Sequence, residues 1–315
     1  MLFLMTDTTS LTPQGPPQVD QAPAAEHGVF QSPSILFVLL RICIFTVLAI
    51  GISFALQWIL ATLSVGNRRS PYSPINLAIS EASSLAGVIA AGVAMSRLER
   101  RSFGEYGLPA QGAFGKLFWQ GALLGLAEIS AVMGGIALLG SYHFGSLAIH
   151  GADLPRWAAF WGALFLMVGL YEEFAFRGYV QFTLAQASRF WPAAVLLSVA
   201  FGLVHITNPG ESKLGIAGVI LTGLLWCFTL RRTGNLWFAV GMHASFDFGE
   251  TFLYSVPDSG VVFPGHLSNA TLAGPTWLTG GSTGPEASVC DFIVLLILFY
   301  VFHRLYPARV PNSPQ

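Results

Sequence analysis

The sequence predicts an all-α integral membrane protein, a polytopic bundle of about eight transmembrane helices. Of its 315 residues, 53% are hydrophobic and only 10% are charged, and the mean hydropathy is +0.62. Soluble domains carry about 25% charged residues, so the composition argues against a soluble globular protein. The 34 glycines agree with closely packed transmembrane helices, because small residues let two helix backbones approach each other. The net charge of −1 gives no indication of a nucleic-acid partner.

Eight apolar segments are long enough, or nearly so, to cross a bilayer, which takes about 20 residues each. No alternation of polar and apolar residues typical of strands competes with the helical interpretation. The fifth and sixth segments are short. The eight segments cover approximately residues 35–65, 75–97, 114–140, 157–182, 191–207, 214–230, 236–254 and 289–306.

The sequence divides the chain into two tails, an N-terminal helical region and a core. Residues 1–33 are rich in Pro, Gln, Thr and Ala, a composition that predicts a disordered N-terminal tail. Residues 34–113 hold the first transmembrane helices and, at 98–113, an interfacial loop or short helix. Residues 114–306 are predicted to form the core, and residues 307–315 a C-terminal tail.

Basic residues predict the orientation of the chain in the membrane. An even number of spans places both termini on one side, and the cytoplasmic side of a membrane protein is enriched in Lys and Arg. With cytoplasmic termini, nine basic residues near the span ends lie inside and four lie outside. This distribution predicts a multi-pass protein, expected in a cell membrane of bacterial type, with both termini cytoplasmic. The loop at 255–288, which has no Lys or Arg, is then placed outside.

Three of the apolar segments carry six ionisable residues that are candidates for one site. Charges at membrane depth are costly unless they pair or act, so they are functional candidates. At a rise of about 1.5 Å per residue, the glutamate, histidine and aspartate candidates on the three helices lie about 10 to 21 Å from the cytoplasmic ends of their segments. Three helices can therefore converge on one buried polar site. The six residues are Glu172, Glu173 and Arg177 on the fourth segment, His205 on the fifth, and His243 and Asp247 on the seventh.

The spacing of these residues suggests different roles. Glu173 and Arg177 are one helical turn apart and can form an ion pair, which makes them structural support. Glu172 is rotated by about 100° from Glu173 and can face the site instead. His243 and Asp247 are also one turn apart. Both can line a cavity, or Asp247 can orient the imidazole.

A glutamate with two histidines supports two forms of hydrolysis. In one, the carboxylate takes a proton from water that a histidine holds, while a second histidine and a polar partner stabilise the oxyanion. In the other, the glutamate and both histidines bind zinc and leave a fourth position open for water. Both forms indicate hydrolysis by activated water, with an amide bond as a target. No serine in an elbow motif and no cysteine nucleophile competes with them.

Three short motifs carry a resemblance to a known family. They read E-E-x-x-x-R from Glu172 to Arg177, F-x-x-x-H from Phe201 to His205, and H-x-x-x-D from His243 to Asp247. In this order on separate apolar helices, they resemble the CPBP family, also called the CAAX prenyl endopeptidase or Abi family of intramembrane proteases. The resemblance covers about residues 95–305.

The resemblance implies an eight-helix membrane metalloendopeptidase with a CPBP-type protease core at residues 114–306. In the family, the glutamate that matches Glu172 activates water, the histidine that matches His205 shares this role, and His243 with Asp247 serves the oxyanion. The resemblance also implies zinc as a candidate cofactor and CAAX processing, in which the substrate is a peptide or a prenylated protein at the bilayer. The candidate metal ligands are Glu172, His205, His243 and Asp247.

One residue departs from the family pattern. Eukaryotic-type members carry Asn at the last motif position, where this chain has Asp247. An ionised aspartate cannot donate to an oxyanion, so Asp247 is protonated, orients His243 or helps to hold a metal.

Two other functions use the same residues. A non-catalytic membrane scaffold or bacteriocin self-immunity protein would bind a partner through the polar cluster. An ion or proton transporter would use the acids as a relay, although no inverted repeat supports one. The sequence does not indicate an oligomeric state.

Overall fold

The structure is a computed structural model in which residues 33–63 and 73–307 are described. The predicted tails, residues 1–33 and 307–315, lie almost wholly outside the described residues. Ten α-helices follow one another in the described part of the chain. They are α1 (Ile35–Thr62), α2 (Pro74–Leu98), α3 (Lys116–Leu138), α4 (Asp153–Glu173), α5 (Gln181–Ser188), α6 (Phe190–Val204), α7 (Lys213–Thr233), α8 (Trp237–Phe248), α9 (Thr276–Thr279) and α10 (Val289–Leu305).

Serine side chains begin four of these helices. The hydroxyls of Ser34, Ser73, Ser212 and Ser288 accept hydrogen bonds from backbone amides in the first turns of α1, α2, α7 and α10. Such a cap satisfies one of the amides that a helix start leaves without an intrahelical partner. At the other end of α7, Gly234 adopts the left-handed conformation with φ 83°. The helix ends are therefore set by local sequence and not by the membrane alone.

The predicted fold class, an all-α membrane bundle, is confirmed. Six helical stretches of the described chain are long and apolar enough to cross a membrane: α1, α2, α3, α4 continued through α5, α6 with the turn after it, and α7. The predicted number of eight spans is not confirmed. Helices α8 and α10 match the seventh and eighth predicted segments, but they have 12 and 17 residues, fewer than the 20 or so that a straight span needs.

The surface of α1 shows the apolar character that a lipid environment favours. Leu36 is 76% exposed and Trp58 is 69% exposed, with Phe54 between them also exposed. An aqueous surface rarely carries large contiguous patches of apolar side chains. Together with the six apolar helices, this surface supports an integral multi-pass membrane protein.

Glycines allow α3 and α8 to pack with their backbones in contact. A Cβ atom built on Gly121 or Gly125 of α3 would lie 2.0 Å or 2.1 Å from a carbonyl oxygen of α8. In return, a Cβ on Gly241 of α8 would lie 2.1 Å from the carbonyl oxygen of Phe118. Real Cβ contacts are not this short, so each position requires glycine. This contact fixes the helix that carries His243.

Replacing Gly241 by alanine is therefore expected to destabilise the protein. The added methyl group must push α8 away from α3, and overpacking of this kind costs about 1–3 kcal/mol. Thermal unfolding in detergent should show a lower Tm. Gly134 on α3 is the control, because a Cβ there meets nothing within 4 Å, and Gly134→Ala should leave the Tm unchanged or slightly raised. An equal Tm for the two variants would contradict the packing described for α8.

The predicted loop at 255–288 is a structured cover that reaches back to the segment after α3. Its β-strand, β2 (Thr271–Leu272), pairs antiparallel with β1 (Tyr142–His143), with Tyr142 opposite Leu272. The loop also contains α9 and a 3₁₀ turn at Pro285–Ala287, which leads into α10. These connections hold the loop over one end of the helix bundle.

Candidate active site

Each of the three motifs lies where a helix changes its geometry. After Glu173 the chain forms π-helical turns over Phe174–Val180, and after α8 it forms another over Gly249–Leu253. His205 ends α6 and begins a short 3₁₀ turn, His205–Thr207. Wide and tight turns inside helices are frequent at functional sites, because they redirect side chains that a regular helix would aim elsewhere.

Four of the six predicted site residues line one cavity of about 410 Å³. This size is within the range of ligand pockets in proteins. The convergence of three helices on one polar site, expected from the depth of these residues, is thus present in the structure. The four residues are Glu172, His205, His243 and Asp247.

Glu172 contacts both a tyrosine and a histidine. The hydroxyl of Tyr171 donates a hydrogen bond of 2.8 Å to Oε1 of Glu172. The other carboxylate oxygen, Oε2, lies 3.6 Å from Nε2 of His243. The Glu172 side chain is 16% exposed, so it is accessible from the cavity although it lies inside the bundle.

The other two predicted residues, Glu173 and Arg177, lie behind the cavity and not on its wall. Arg177 Nη1 donates to Oε1 of Glu173 at 2.9 Å, and both side chains are fully buried. The predicted ion pair is therefore present. Oε1 of Glu173 also lies 3.0 Å from Nδ1 of His243, a contact that the helical spacing did not predict. The pair thus holds the ring that faces the cavity.

The His243 ring is fixed from three sides. Its face stacks on Trp226, with ring centroids 4.2 Å apart. Its Nδ1 must donate to Glu173, because an ionised carboxylate can only accept. Its Nε2 lies 3.4 Å from Oδ2 of Asp247 and also near Glu172. A ring between three carboxylates is best satisfied when both nitrogens carry protons.

His205 has a different partner. Its Nδ1 lies 2.8 Å from the carbonyl oxygen of Phe201, one turn earlier on α6. Since a carbonyl oxygen accepts and does not donate, Nδ1 carries the proton and Nε2 of the neutral ring is an acceptor. The Phe201 ring packs at 4.9 Å against the His205 ring and at 4.0 Å against the Arg177 guanidinium. The middle motif therefore supports both the cavity and the buried ion pair.

Several polar residues of the cavity were not predicted. They come from a different transmembrane helix, from the turn after α6 and from the loop at 255–288, which no helical periodicity connects to the motifs. For Glu81, the available signal in the sequence was an acid inside an apolar helix. The loop residues carried no such signal. They are Glu81, Asn208, Asp258, Ser259 and Glu286.

The two loop acids have altered acidity. Burial raises the pKa of Glu286 to about 7, although the nearby His205 and hydrogen bonds from Ser259 act in the opposite direction. Burial also raises the pKa of Asp258 well above its usual range, and the negative charge of Asp247 adds to this effect. Acidic groups therefore crowd the loop side of the cavity, where burial and neighbouring charges disfavour their ionised forms.

The residues predicted to bind zinc suit that metal in type but not in arrangement. Two imidazoles with two carboxylates are common zinc ligands. Nδ1 of His243 is held by Glu173, as is common for a metal-binding histidine, and its Nε2 lies 3.4 and 3.6 Å from carboxylate oxygens of Asp247 and Glu172, separations that one zinc ion can bridge. Among the described residues, however, no three of these four bring their ligand atoms within 4.8 Å of one another, whereas three acids on the loop side of the cavity do. As placed, the four residues are therefore not drawn together around one point, as a resident zinc ion would require.

Comparison with known proteins gives one match. Residues 154–249 match the family model described as type II CAAX prenyl endopeptidase Rce1-like. This segment contains all six predicted site residues. Neither a curated protein nor a solved structure matches the chain. The resemblance predicted from the three motifs is thereby confirmed, and the Rce1-like segment of this membrane protein is consistent with the CPBP family of CAAX prenyl endopeptidases.

Proposed function

We propose that this protein is an intramembrane endopeptidase that hydrolyses a peptide bond of a membrane-associated protein with water activated by Glu172. One observation carries the proposal: Glu172, His205, His243 and Asp247 come from three helices and line one cavity. The family match gives independent support, because the matched segment contains the same residues and its family consists of endopeptidases.

In the proposed mechanism, Glu172 is the general base. Water in the cavity donates one hydrogen bond to a Glu172 oxygen and another to the acceptor Nε2 of His205. Glu172 takes the proton as the water oxygen attacks the carbonyl carbon of the peptide bond. The same carboxyl group then passes the proton to the leaving amine, so the proton that leaves water ends on the new amino terminus. General base catalysis of this kind contributes about 10²–10⁴-fold.

His243 is the proposed oxyanion donor. With Nδ1–H bound to Glu173, a protonated ring can donate Nε2–H to the tetrahedral intermediate. Asp247 lies one turn away and stabilises the positive charge of this ring. An anionic Asp247 then serves to orient His243. The Asn of the eukaryotic-type members would fill the same role through its side-chain oxygen. No step in this sequence requires a donor from Asp247 itself.

Zinc remains a candidate that the mechanism does not use. A chelator with and without added zinc separates the two forms of hydrolysis. Cleavage that survives the chelator would support activation of water by Glu172 alone. Cleavage that is lost and then restored by zinc would require the ligand atoms of the motif residues to move closer together than in this structure.

An apolar cleft next to the cavity supports a lipidated substrate. It has a volume of about 450 Å³ and lies among α1, α2 and the π-helical turns after α4, with Phe45, Val88 and Phe176 in its wall. Tyr171 lines both the cleft and the cavity. A prenyl chain in the cleft would therefore place the attached peptide beside Glu172. On this basis the substrate is a prenylated CAAX-type protein.

The proposal is tested with purified protein in detergent and three peptides: a farnesylated CAAX peptide, the same peptide without the lipid, and a farnesylated peptide of scrambled sequence. We expect cleavage of the farnesylated CAAX peptide at least about tenfold faster than cleavage of the unmodified one, since the cleft holds the lipid. Equal rates would argue against the prenyl cleft. No cleavage of any peptide by folded protein would favour a scaffold or immunity role.

Replacing Tyr171 by phenylalanine should lower kcat about tenfold with little change in KM. The hydroxyl that holds Oε1 of Glu172 is lost, and hydrogen bonds to charged groups contribute about 1.5–3 kcal/mol. Tyr300→Phe on α10 is the control, because this side chain is 64% exposed and does not line the cavity. A rise in KM with an unchanged kcat would assign Tyr171 to substrate binding instead of positioning.

The proposed orientation, with cytoplasmic termini, places the loop at 255–288 on the opposite face. It rests on the nine basic residues against four near the ends of the predicted spans. The orientation is measured by introducing single cysteines at exposed loop positions and labelling them in intact cells. Labelling at Thr271 and protection at Arg97 are the expected results.

A further inference from the structure

Three acids that the motifs do not include come together at the loop end of the bundle. Glu250 lies in the π-helical turn after α8, Asp258 in the loop at 255–288, and Glu286 in the 3₁₀ turn before α10. One carboxylate oxygen from each lies within 4.8 Å of the other two. These three residues are here named the acid cluster. Three segments of the chain meet at it.

Glu250 gives the acid cluster an unusual feature. Its side chain is fully buried, and neither carboxylate oxygen has a hydrogen-bond partner. A buried carboxylate without a partner is strongly unfavourable, because desolvation of the charge is not repaid. Its ligand oxygen is directed at the other two acids. What distinguishes Glu250 from a single buried acid is that two further carboxylates share its position, so that a cation there would find three ligands.

The other two acids are only partly satisfied by the protein. Asp258 accepts a hydrogen bond of 2.9 Å from the Thr251 hydroxyl, and Glu286 accepts from the backbone amide and hydroxyl of Ser259. None of the ion pairs among the described residues includes a member of the acid cluster. The loop at 255–288 has no Lys or Arg that could supply the charge.

The geometry points to a binding site for a calcium ion at Glu250, Asp258 and Glu286. All the ligand atoms are oxygens, which hard cations prefer, and no imidazole or thiol belongs to the group. Calcium accepts oxygens at about 2.3–2.6 Å, so two ligands on opposite sides lie about 4.6–5.2 Å apart. Oxygens within 4.8 Å of one another can all reach one such ion. Magnesium requires ligands at about 2.0–2.1 Å and keeps several waters.

The ion would link the loop at 255–288 to α8, the helix that carries the third motif. Glu250 follows α8, which bears His243 and Asp247, while Asp258 and Glu286 also line the cavity. A bound ion would therefore hold the cover of the cavity in place. Binding of the ion can be measured without any peptide cleavage, because its ligands are not the residues proposed to activate water.

Calcium binding to the full-length protein in detergent tests this inference. Chelated protein is titrated with Ca²⁺, Mg²⁺ or Zn²⁺, and both the Tm and the bound ion are measured. We expect Ca²⁺ to raise the Tm by several degrees with one bound ion, and the same concentrations of Mg²⁺ or Zn²⁺ to give a smaller shift. Glu250→Gln should lose at least about 90% of the Ca²⁺-dependent shift, and so should Asp258→Asn.

Glu128→Gln is the matched control. Glu128 on α3 is also buried with both carboxylate oxygens unpartnered, but it is not part of the acid cluster. This variant should keep the full Ca²⁺-dependent shift. The inference is overturned if wild type shows no shift at millimolar Ca²⁺, if Glu250→Gln keeps it, or if Mg²⁺ or Zn²⁺ acts as well as Ca²⁺. Direct binding measurements decide the case if an amide variant fails to fold.

Discussion

Replacing Glu172 by glutamine is expected to lower the rate of peptide cleavage by about 10²- to 10⁴-fold. Glutamine has the same shape and can still accept the hydrogen bond from Tyr171. It cannot take a proton from water at neutral pH, so the general base is removed while the cavity keeps its form. Steady-state cleavage of the farnesylated peptide measures the effect on kcat.

A matched acid on the same helix provides the control for Glu172→Gln. Asp153 is exposed in the first turn of α4, and Asp153→Asn should leave kcat and Tm close to wild type. The Tm of Glu172→Gln should also stay close to wild type. Retained cleavage by folded Glu172→Gln would remove Glu172 from the mechanism. A large fall in Tm would mean that the carboxylate is structural.

Replacing Arg177 by methionine should cost about 3–5 kcal/mol of unfolding free energy. The substitution leaves the fully buried carboxylate of Glu173 without its cation. It also removes a guanidinium that packs over the rings of Phe201 and Trp226. Equilibrium unfolding in detergent micelles measures the loss. Cleavage should fall as well, since Glu173 holds Nδ1 of His243.

Neutralising both partners separates the lost ion pair from lost packing. Glu173→Gln together with Arg177→Met should recover part of the stability, because no buried charge is then unpaired and the glutamine oxygen can still accept from His243. Arg156→Met, at an exposed position near the start of α4, should cost less than about 1 kcal/mol. A similarly small cost at Arg177 would show that its pair with Glu173 adds little to stability.

The sequence predicted the cavity because polar groups in apolar helices have few structural explanations. Glu172, His205 and His243 lie at similar depth on three segments, and depth is set by helix rise, which sequence position measures. The pair of Glu173 and Arg177 followed from the spacing of one helical turn. These predictions needed only local geometry and the direction of each helix through the membrane.

Other features depend on how distant segments pack, which periodicity does not encode. The contact from Glu173 to His243 joins α4 and α8, and it depends on the rotation of both helices about their axes. The acid cluster depends on the path of the loop at 255–288, where Asp258 and Glu286 return to the end of α8. Nothing in the sequence connects Glu286 to the motifs, yet the structure places it in the cavity wall.

The number of spans shows a further limit. Hydropathy marks α8 and α10 as apolar segments, but the lengths of 12 and 17 residues were not visible in the sequence. A π-helical turn continues α8 to Leu253, and a serine cap sets the beginning of α10. Both features depend on local backbone geometry that averaged hydropathy does not resolve.

The most direct test of the central claim is mass spectrometry of a farnesylated CAAX peptide incubated with purified wild type or Glu172→Gln in ¹⁸O-labelled water. Wild type should give two fragments from one peptide bond, with the heavy oxygen in the new carboxyl group, and Glu172→Gln should give almost none. Intact peptide in both reactions, with both proteins folded, would contradict a protease that activates water through Glu172.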